Sequence, residues 1–286
     1  MEPLEIRFED KVLHTVQVPR CWDHVSPKLY RKIFPILFAG FKPSHKIRLA
    51  LVKLLLFSTY NPVKALRYWF WIRQLPGETV YDISEAFKWI WDKPAPKAWF
   101  NSFRLWIWRY HLPGDQLENA TFVEYIYADN CLEAIAEHQG DIRKCQALDE
   151  LVATLCRPSK WFLFIRMRMS NYDGDIRQRF NPAIMKRRAK FFRWLPIRWK
   201  LYVLSYFIAC KISIVEDPAY SYVFPKSKKA KAKAADQGGG SLTELLKDLA
   251  HQKLYGSYDE TAYQNLHTIL TNLNYDNRKA AEQPSK

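Results

Sequence analysis

Residues 119–158, NATFVEYIYADNCLEAIAEHQGDIRKCQALDELVATLCRP, constrain the fold more than any other stretch. Apolar residues recur at the helical period on both sides of Gln139-Gly140, which predicts two amphipathic helices joined by a short turn. Phe122, Tyr125, Ile126, Leu132 and Ile135 line one face of the first, and Ile142, Leu148, Leu151, Val152 and Leu155 one face of the second. Asn119 or Thr121 is placed to cap the first helix and Asp141 the second, because a short side-chain oxygen accepts from the free amides of a first turn. Arg157 precedes Pro158, and a residue before proline is driven out of the α region, so the second helix ends there. So short a turn makes the helices antiparallel neighbours that bury their stripes together.

Residues 4–18 alternate apolar and polar side chains around Glu9-Asp10-Lys11, a β-hairpin signal. Ser26-Pro27 opens a helix to Phe38, Ser44 one over 45–57, Asn61-Pro62 one through 63–74, and Thr79 one over 80–92. The last two carry Tyr68, Trp69, Phe70, Trp71, Phe87, Trp89, Ile90 and Trp91. Aromatics on every side of a helix call for burial between layers or an oligomer contact. Residues 99–111 read as one or two strands, Pro113-Gly114-Asp115 as a turn, and 159–179 as irregular. Asn181-Pro182 opens a helix to Trp194; Leu195-Pro196 restarts it, and it continues to Ile214.

Residues 216–240 combine Asp217-Pro218, a lysine/alanine run and Gly238-Gly239-Gly240, all poor at burying apolar area, and read as a linker. Ser241 with Glu244 forms a capping-box pattern for a helix that Gly256 stops. Asp259 opens another, with Leu266, Ile269, Leu270 and Leu273 as its stripe. Two helices this short bury no core alone and must dock on the body or on another chain. The expected class is mainly α (α+β, with a minor N-terminal β-hairpin and short strands). A basic, aromatic-rich body spans 1–215, a flexible linker 216–240, a tethered helical hairpin 241–275 and a polar tail 276–286.

Charge narrows the partners. The chain carries a formal net charge of +15, with eight Lys/Arg and no Asp or Glu over 185–211 and five lysines over 226–233. That balance favours nucleic acid, an acidic protein surface or anionic lipid. The eleven Trp mean a thick core or a partner-binding surface. The five Cys are dispersed, with no CxxC and no Cys/His spacing suited to zinc, as expected of free thiols in a reducing compartment. The apolar runs 49–57 and 201–210 fall short of the roughly 20 residues a membrane span needs. The opening ten residues are acidic and unlike a secretory leader, so a soluble protein is expected.

Asp173-x-Asp175 beside Asn171 could hold a cation, but a calcium loop needs a longer acidic series ending in Glu, and a turn is the reading preferred. No metal-spaced His pair, phosphate-binding glycine loop or nucleophile elbow occurs, so neither catalysis nor a cofactor is expected. The basic stretch 186–211 interleaves Arg187, Arg188, Lys190, Arg193, Arg198 and Lys200 with Phe191, Phe192, Trp194 and Trp199. Cations neutralise phosphates and exposed rings stack on bases, which suits nucleic acid. Alternatively the rings face the core and the cations are simply solvated.

TFVEYIYAD at 121–129, LDELVATLCRP at 148–158, DGDIRQRFN at 173–181 and RAKFFRWLP at 188–196 occur in that order, followed by GGGSLTELLKDLA and TAYQNLHTIL. As an ordered set they resemble a family of tail-cluster proteins from phages and prophages of Bacteroidetes-type bacteria, similar to tail-assembly chaperones. The resemblance covers roughly residues 99–275, within which the lysine linker has no counterpart, and does not extend to the Trp-rich N-terminal helices. It implies a non-catalytic protein of the bacterial host cytoplasm, or of the virion. Such a protein binds a tape-measure or tail-tube protein by taking apolar helices into grooves. Phe122, Tyr125 and Ile126, with Leu245, Leu249, Leu266 and Leu270 of a tethered unit, are then the candidate contacts; the same residues suit plain core. A structural tail or neck component and a nucleic-acid-binding module are the other readings.

Overall fold

Residues 148–156 carry Leu148, Leu151, Val152 and Leu155 at helical spacing, an apolar stripe that must be covered by neighbouring elements. A computed structural model describes residues 2–8, 11–37, 45–57, 77–92, 100–138, 140–142, 145–161, 165, 167–168, 174–224 and 242–282. The chain divides into two units, Met1–Ala95 and Pro96–Lys286, instead of the single body expected over 1–215. Pro94 and Pro96, which cannot donate a backbone hydrogen bond, bracket the division.

In the first unit, β1 (Glu2–Phe8) and β2 (Lys11–Val18) form the expected antiparallel hairpin, with Leu4 opposite Val16 and a bulge between Ile6 and Arg7. Helices α1 (Pro27–Leu37), α2 (His45–Phe57), α3 (Gly77–Glu85) and α4 (Trp89–Asp92) follow. The helix expected over 80–92 is thus two pieces. The chain turns at 86–88 to drive Phe87 wholly into the core, its N–H donating to Ser84 O at 3.0 Å. Trp22 sits edge-on to both Tyr30 and Trp89, at 5.5 and 5.2 Å between ring centres. The helix expected over 63–74, with its aromatic cluster, lies outside the described residues.

The second unit holds a three-stranded antiparallel sheet in the order β3 (Ser102–Leu105), β4 (Trp108–His111), β5 (Arg157–Pro158). Its helices are α5 (Phe122–Glu137), α6 (Gln146–Leu155), α7 (Pro182–Phe192), α8 (Ile197–Glu216), α9 (Leu242–His251), α10 (Tyr258–Ala262) and α11 (Leu266–Glu282). The class is mainly α with a minor β part. Helix α6 is the centre, packed against α5, α7 and α8, with Leu148, Leu151, Val152 and Leu155 fully buried. It starts at Gln146 behind Cys145, so Asp141 is not its cap. Thr121 is the N-cap of α5, where Glu124 Oε2 accepts the Thr121 N–H at 3.5 Å. Asn181 caps α7 as its sequence predicts, accepting from the Ala183 and Ile184 amides at 2.9 and 3.2 Å, with Pro182 in the first turn.

The C-terminal helices belong to this unit. The Phe122 N–H donates to Gln264 O at 2.9 Å and the Leu266 N–H to Ala120 O at 3.0 Å, a two-bond clasp between the start of α5 and the start of α11. Asn265 Nδ2 adds a bond to Glu118 O at 2.6 Å, and the Tyr263 hydroxyl one to Phe180 O at 2.8 Å. That clasp is why the helix expected from Asp259 splits at 263–265: those backbone groups turn outward to pair. Part of the expected linker is structured too. A short 3-10 turn, Pro218–Tyr220, buries Tyr220, and the Tyr222 N–H donates to Asn274 Oδ1 at 2.8 Å. Residues 225–241, with the lysine run and the glycines, lie outside the described residues. Helix α11 continues through 276–282 of the expected polar tail. Gly256 has φ +93°, and a Cβ there would collide with the Glu260 carboxylate that accepts the Ser257 N–H, so this turn requires glycine. No helix among the described residues is long and apolar enough to cross a membrane.

Cys131, Cys145, Cys156 and Cys210 are buried, and Cys21 is half-buried. Burial pushes the Cys131 and Cys210 thiols from 9.0 up to about 12, and raises the Tyr125 and Tyr206 phenols. These acids keep their protons in the folded chain at a pH where the unfolded chain has lost them. Their stabilisation is therefore complete below about pH 9 and is lost as pH rises towards about 12. At neutral pH a thiol reagent should titrate Cys21 alone in the native chain and all five cysteines in denaturant. The urea midpoint should fall steadily across the alkaline range, measured by circular dichroism.

Candidate functional site

Four charges meet inside the second unit. Glu124 comes from the first turn of α5, Arg157 from the strand that ends α6, and Asp175 and Arg177 from the segment before α7. Strand β5 pairs Arg157 with His111, and the Gln178 N–H donates to Pro158 O at 2.9 Å, which brings the last segment alongside. Arg177 is fully buried. Its Nη1 donates to Glu124 Oε1 at 2.6 Å and to Leu155 O at 3.2 Å, its Nε to Asp175 Oδ1 at 3.0 Å, and its Nη2 to Asn119 O at 3.0 Å. Arg157 donates through Nη2 to Glu124 Oε2 and through Nη1 to Gln178 O, both at 2.6 Å.

Two cations and two anions cancel, which is what makes their burial tolerable. Burial pulls the Arg157 guanidinium down to about 10, against the pull of Glu124. Burial works against Arg177 as well, yet Glu124 and Asp175 hold it above its ordinary value. Both are cations at neutral pH. All four side chains are buried, and through these bonds the cluster cross-links three segments of the chain. The Asp173-x-Asp175 pattern is accounted for in part: the Asp175 carboxylate accepts from the Arg177 backbone and side chain, while Asn171 and Asp173 lie outside the described residues. Among the described residues, no group of three or more His, Cys, Asp or Glu could hold a metal ion.

His111 Nε2 lies 3.0 Å from Ser159 Oγ, the spacing of a base and a nucleophile. Burial, then Arg109 and Arg177, hold the imidazole below its ordinary value. Nδ1 has no carboxylate bonded to it among the described residues, and the pair braces β4 against the chain after β5.

The expected partner contacts are core. Phe122, Tyr125, Ile126, Leu249, Leu266 and Leu270 are buried within the unit, and Leu245 is half-buried. Tyr125, for instance, packs 6.0 Å from the Phe207 ring. The six buried side chains, enclosed by their own chain, have no surface left for a partner's helix, which corrects that expectation for all but Leu245. The six expected cations divide. Arg187, Lys190, Arg193 and Arg198 are exposed. Arg188 is half-buried and donates to Ala153 O at 3.3 Å; Lys200 is buried, with Nζ 2.6 Å from Asp149 Oδ1. These two serve the fold.

Sequence periodicity missed the surface at the β3–β4 turn. Trp106 and Ile107 form it, 90% and 83% exposed. Trp106 has φ +58°, a left-handed conformation that costs a bulky residue about 1–2 kcal/mol. The usable signal was WIW at a tight turn where Gly or Asn is the ordinary choice. Trp108 follows and lies 5.8 Å from Trp161, also exposed. On the inner face of this hairpin Phe103 and Tyr110 pack on Phe192, at 6.1 and 5.1 Å. On the outer face Arg104 lies directly opposite Arg109, two exposed like charges whose repulsion an anionic neighbour would relieve. No family model, curated protein or solved structure matches the chain.

Replacing Arg177 by Met leaves Glu124 and Asp175 short of a cation, and should cost about 3–5 kcal/mol. Arg177→Lys should restore little, since an ammonium cannot reproduce the fork that reaches Glu124, Asp175 and Asn119 together. Urea titrations of the three chains provide the measurement.

Proposed function

We propose that this chain is a non-catalytic accessory protein of phage tail assembly that holds a tape-measure or tail-tube protein. The segments quoted above motivate the class of partner. The observation that carries a binding role is the Trp106-Ile107 tip: two large apolar side chains kept in water, one of them in a backbone conformation that glycine would adopt without cost. Large exposed apolar surface of this kind is characteristic of protein contacts, where Trp anchors carry much of the energy. The contact surface is accordingly placed at the hairpin tip with Trp108 and Trp161, and not at the buried stripes of α5, α9 and α11.

Trp106→Gly separates this role from a structural one. Removing the strained residue should raise stability by about 1 kcal/mol, and should lower recovery of the partner at least about tenfold. The measurement is pull-down of the tagged chain from phage-producing cells after nuclease treatment, read by mass spectrometry, beside a urea titration. Recovery of a long tail protein by the native chain and its loss with Trp106→Gly would support the reading. Equal recovery by both would overturn it, and the bait within purified particles would make the chain a virion component.

A further inference from the structure

We infer that the outward face of α7 and the turn after it bind single-stranded nucleic acid, with bases stacked on Phe191 and Trp194. The helix divides its residues by period. Met185, Ala189 and Phe192 are buried, one stripe at spacings of four and three. Arg187, Lys190, Phe191 and Trp194 fall on the opposite side at spacings of three and four, and all four are exposed. The two rings are 69% and 87% exposed, and Arg193 and Arg198 flank Trp194.

Charge decides the sign of the ligand. None of Arg187, Lys190, Arg193 and Arg198 makes an ion pair among the described residues, while their neighbours Arg188 and Lys200 are committed inward. Residues 185–211 contain no carboxylate to compete for them. The rings decide the kind of anion. An acidic peptide would satisfy the cations and leave two nearly naked aromatic faces in water, and a duplex hides its base faces from side chains. A single strand offers phosphates and base faces together. A bilayer surface would need an aliphatic face, and Ile184 is the one large aliphatic side chain that α7 exposes. From Arg187 to Trp194 the rise is about 10 Å, a patch for a short stretch of strand.

The surface is separate from the Trp106-Ile107 tip, and its test involves no phage partner, so either reading can fail alone. The purified full chain is titrated against fluorescent oligothymidylate of about twenty nucleotides, longer than one module's site, with fluorescence anisotropy as the readout. A duplex of the same length and vesicles containing phosphatidylserine are run beside it. Phe191→Ala with Trp194→Ala should raise Kd at least about tenfold with little change in the salt slope. Arg187→Ala with Arg193→Ala should flatten the slope of log K against log salt by roughly 1.4. All four positions are exposed, so the thermal midpoint of both variants should match the native chain, which keeps a loss of binding distinct from a loss of fold. The inference is overturned if the native chain fails to bind the oligonucleotide at low salt. An unchanged Kd in the ring variant, equal affinity for the duplex, or binding to the vesicles alone would overturn it as well.

Discussion

The second unit is tied at one place, the Arg177 guanidinium. It reaches the first turn of α5 through Glu124, the chain before that helix through Asn119 O, and the end of α6 through Leu155 O. Carbonyls around helix ends have no partner within the helix and are costly when buried, so a donor must be brought to them. A single planar fork supplies several at once, which an ammonium could not do. Arg157 then neutralises the second oxygen of Glu124, and Asp175 supplies the second negative charge, 3.0 Å from Arg177 and 3.5 Å from Arg157. Each member is tolerable in the interior because the others are there.

With that corner fixed, the remainder of the unit has a defined floor. The clasp between Gln264/Leu266 and Ala120/Phe122 lies on the chain leading into Glu124, so the C-terminal helices dock on backbone the charge cluster has already placed. On another side, Phe192 packs beneath the β3–β4 hairpin, with Met185 and Ala189 buried on the same stripe, and the opposite face of α7 is left in water. The unit therefore departs twice from apolar-inside and polar-outside. The four-charge cluster is interior, with Lys200 buried against Asp149 as well, and Trp106, Ile107, Phe191 and Trp194 are exterior. The first departure is accounted for by internal pairing. The second has no internal account, which is why both binding surfaces are placed there.

Much of the architecture was legible from periodicity. The pair over 119–158, the N-terminal hairpin, the strands within 99–111 and the cap at Asn181 are where the residues indicate. The misses share a cause. A helical stripe such as Leu266 and Leu270 reports that a face needs covering and not what covers it, so core and partner contact look alike until the neighbours are known. The six cations of 187–200 look alike for the same reason, although Lys200 is buried against Asp149, a residue distant in sequence. The break at 86–88 depended on where Phe87 could be buried, and the split at 263–265 on backbone partners near residue 121.

By itself, then, the sequence determined the local conformations: where chains of apolar residues at period 3.6 form helices, where alternation forms strands, and where proline and glycine end them. Those follow from short-range sterics and hydrogen bonding. Tertiary structure alone decided which charges became a buried cross-link and which rings were left in water. Glu124, Arg157, Asp175 and Arg177 each look like surface residues in their own segments. Only packing three distant segments together excludes water from among them, and exclusion of water is what turns four ordinary charges into the tie on which the fold depends.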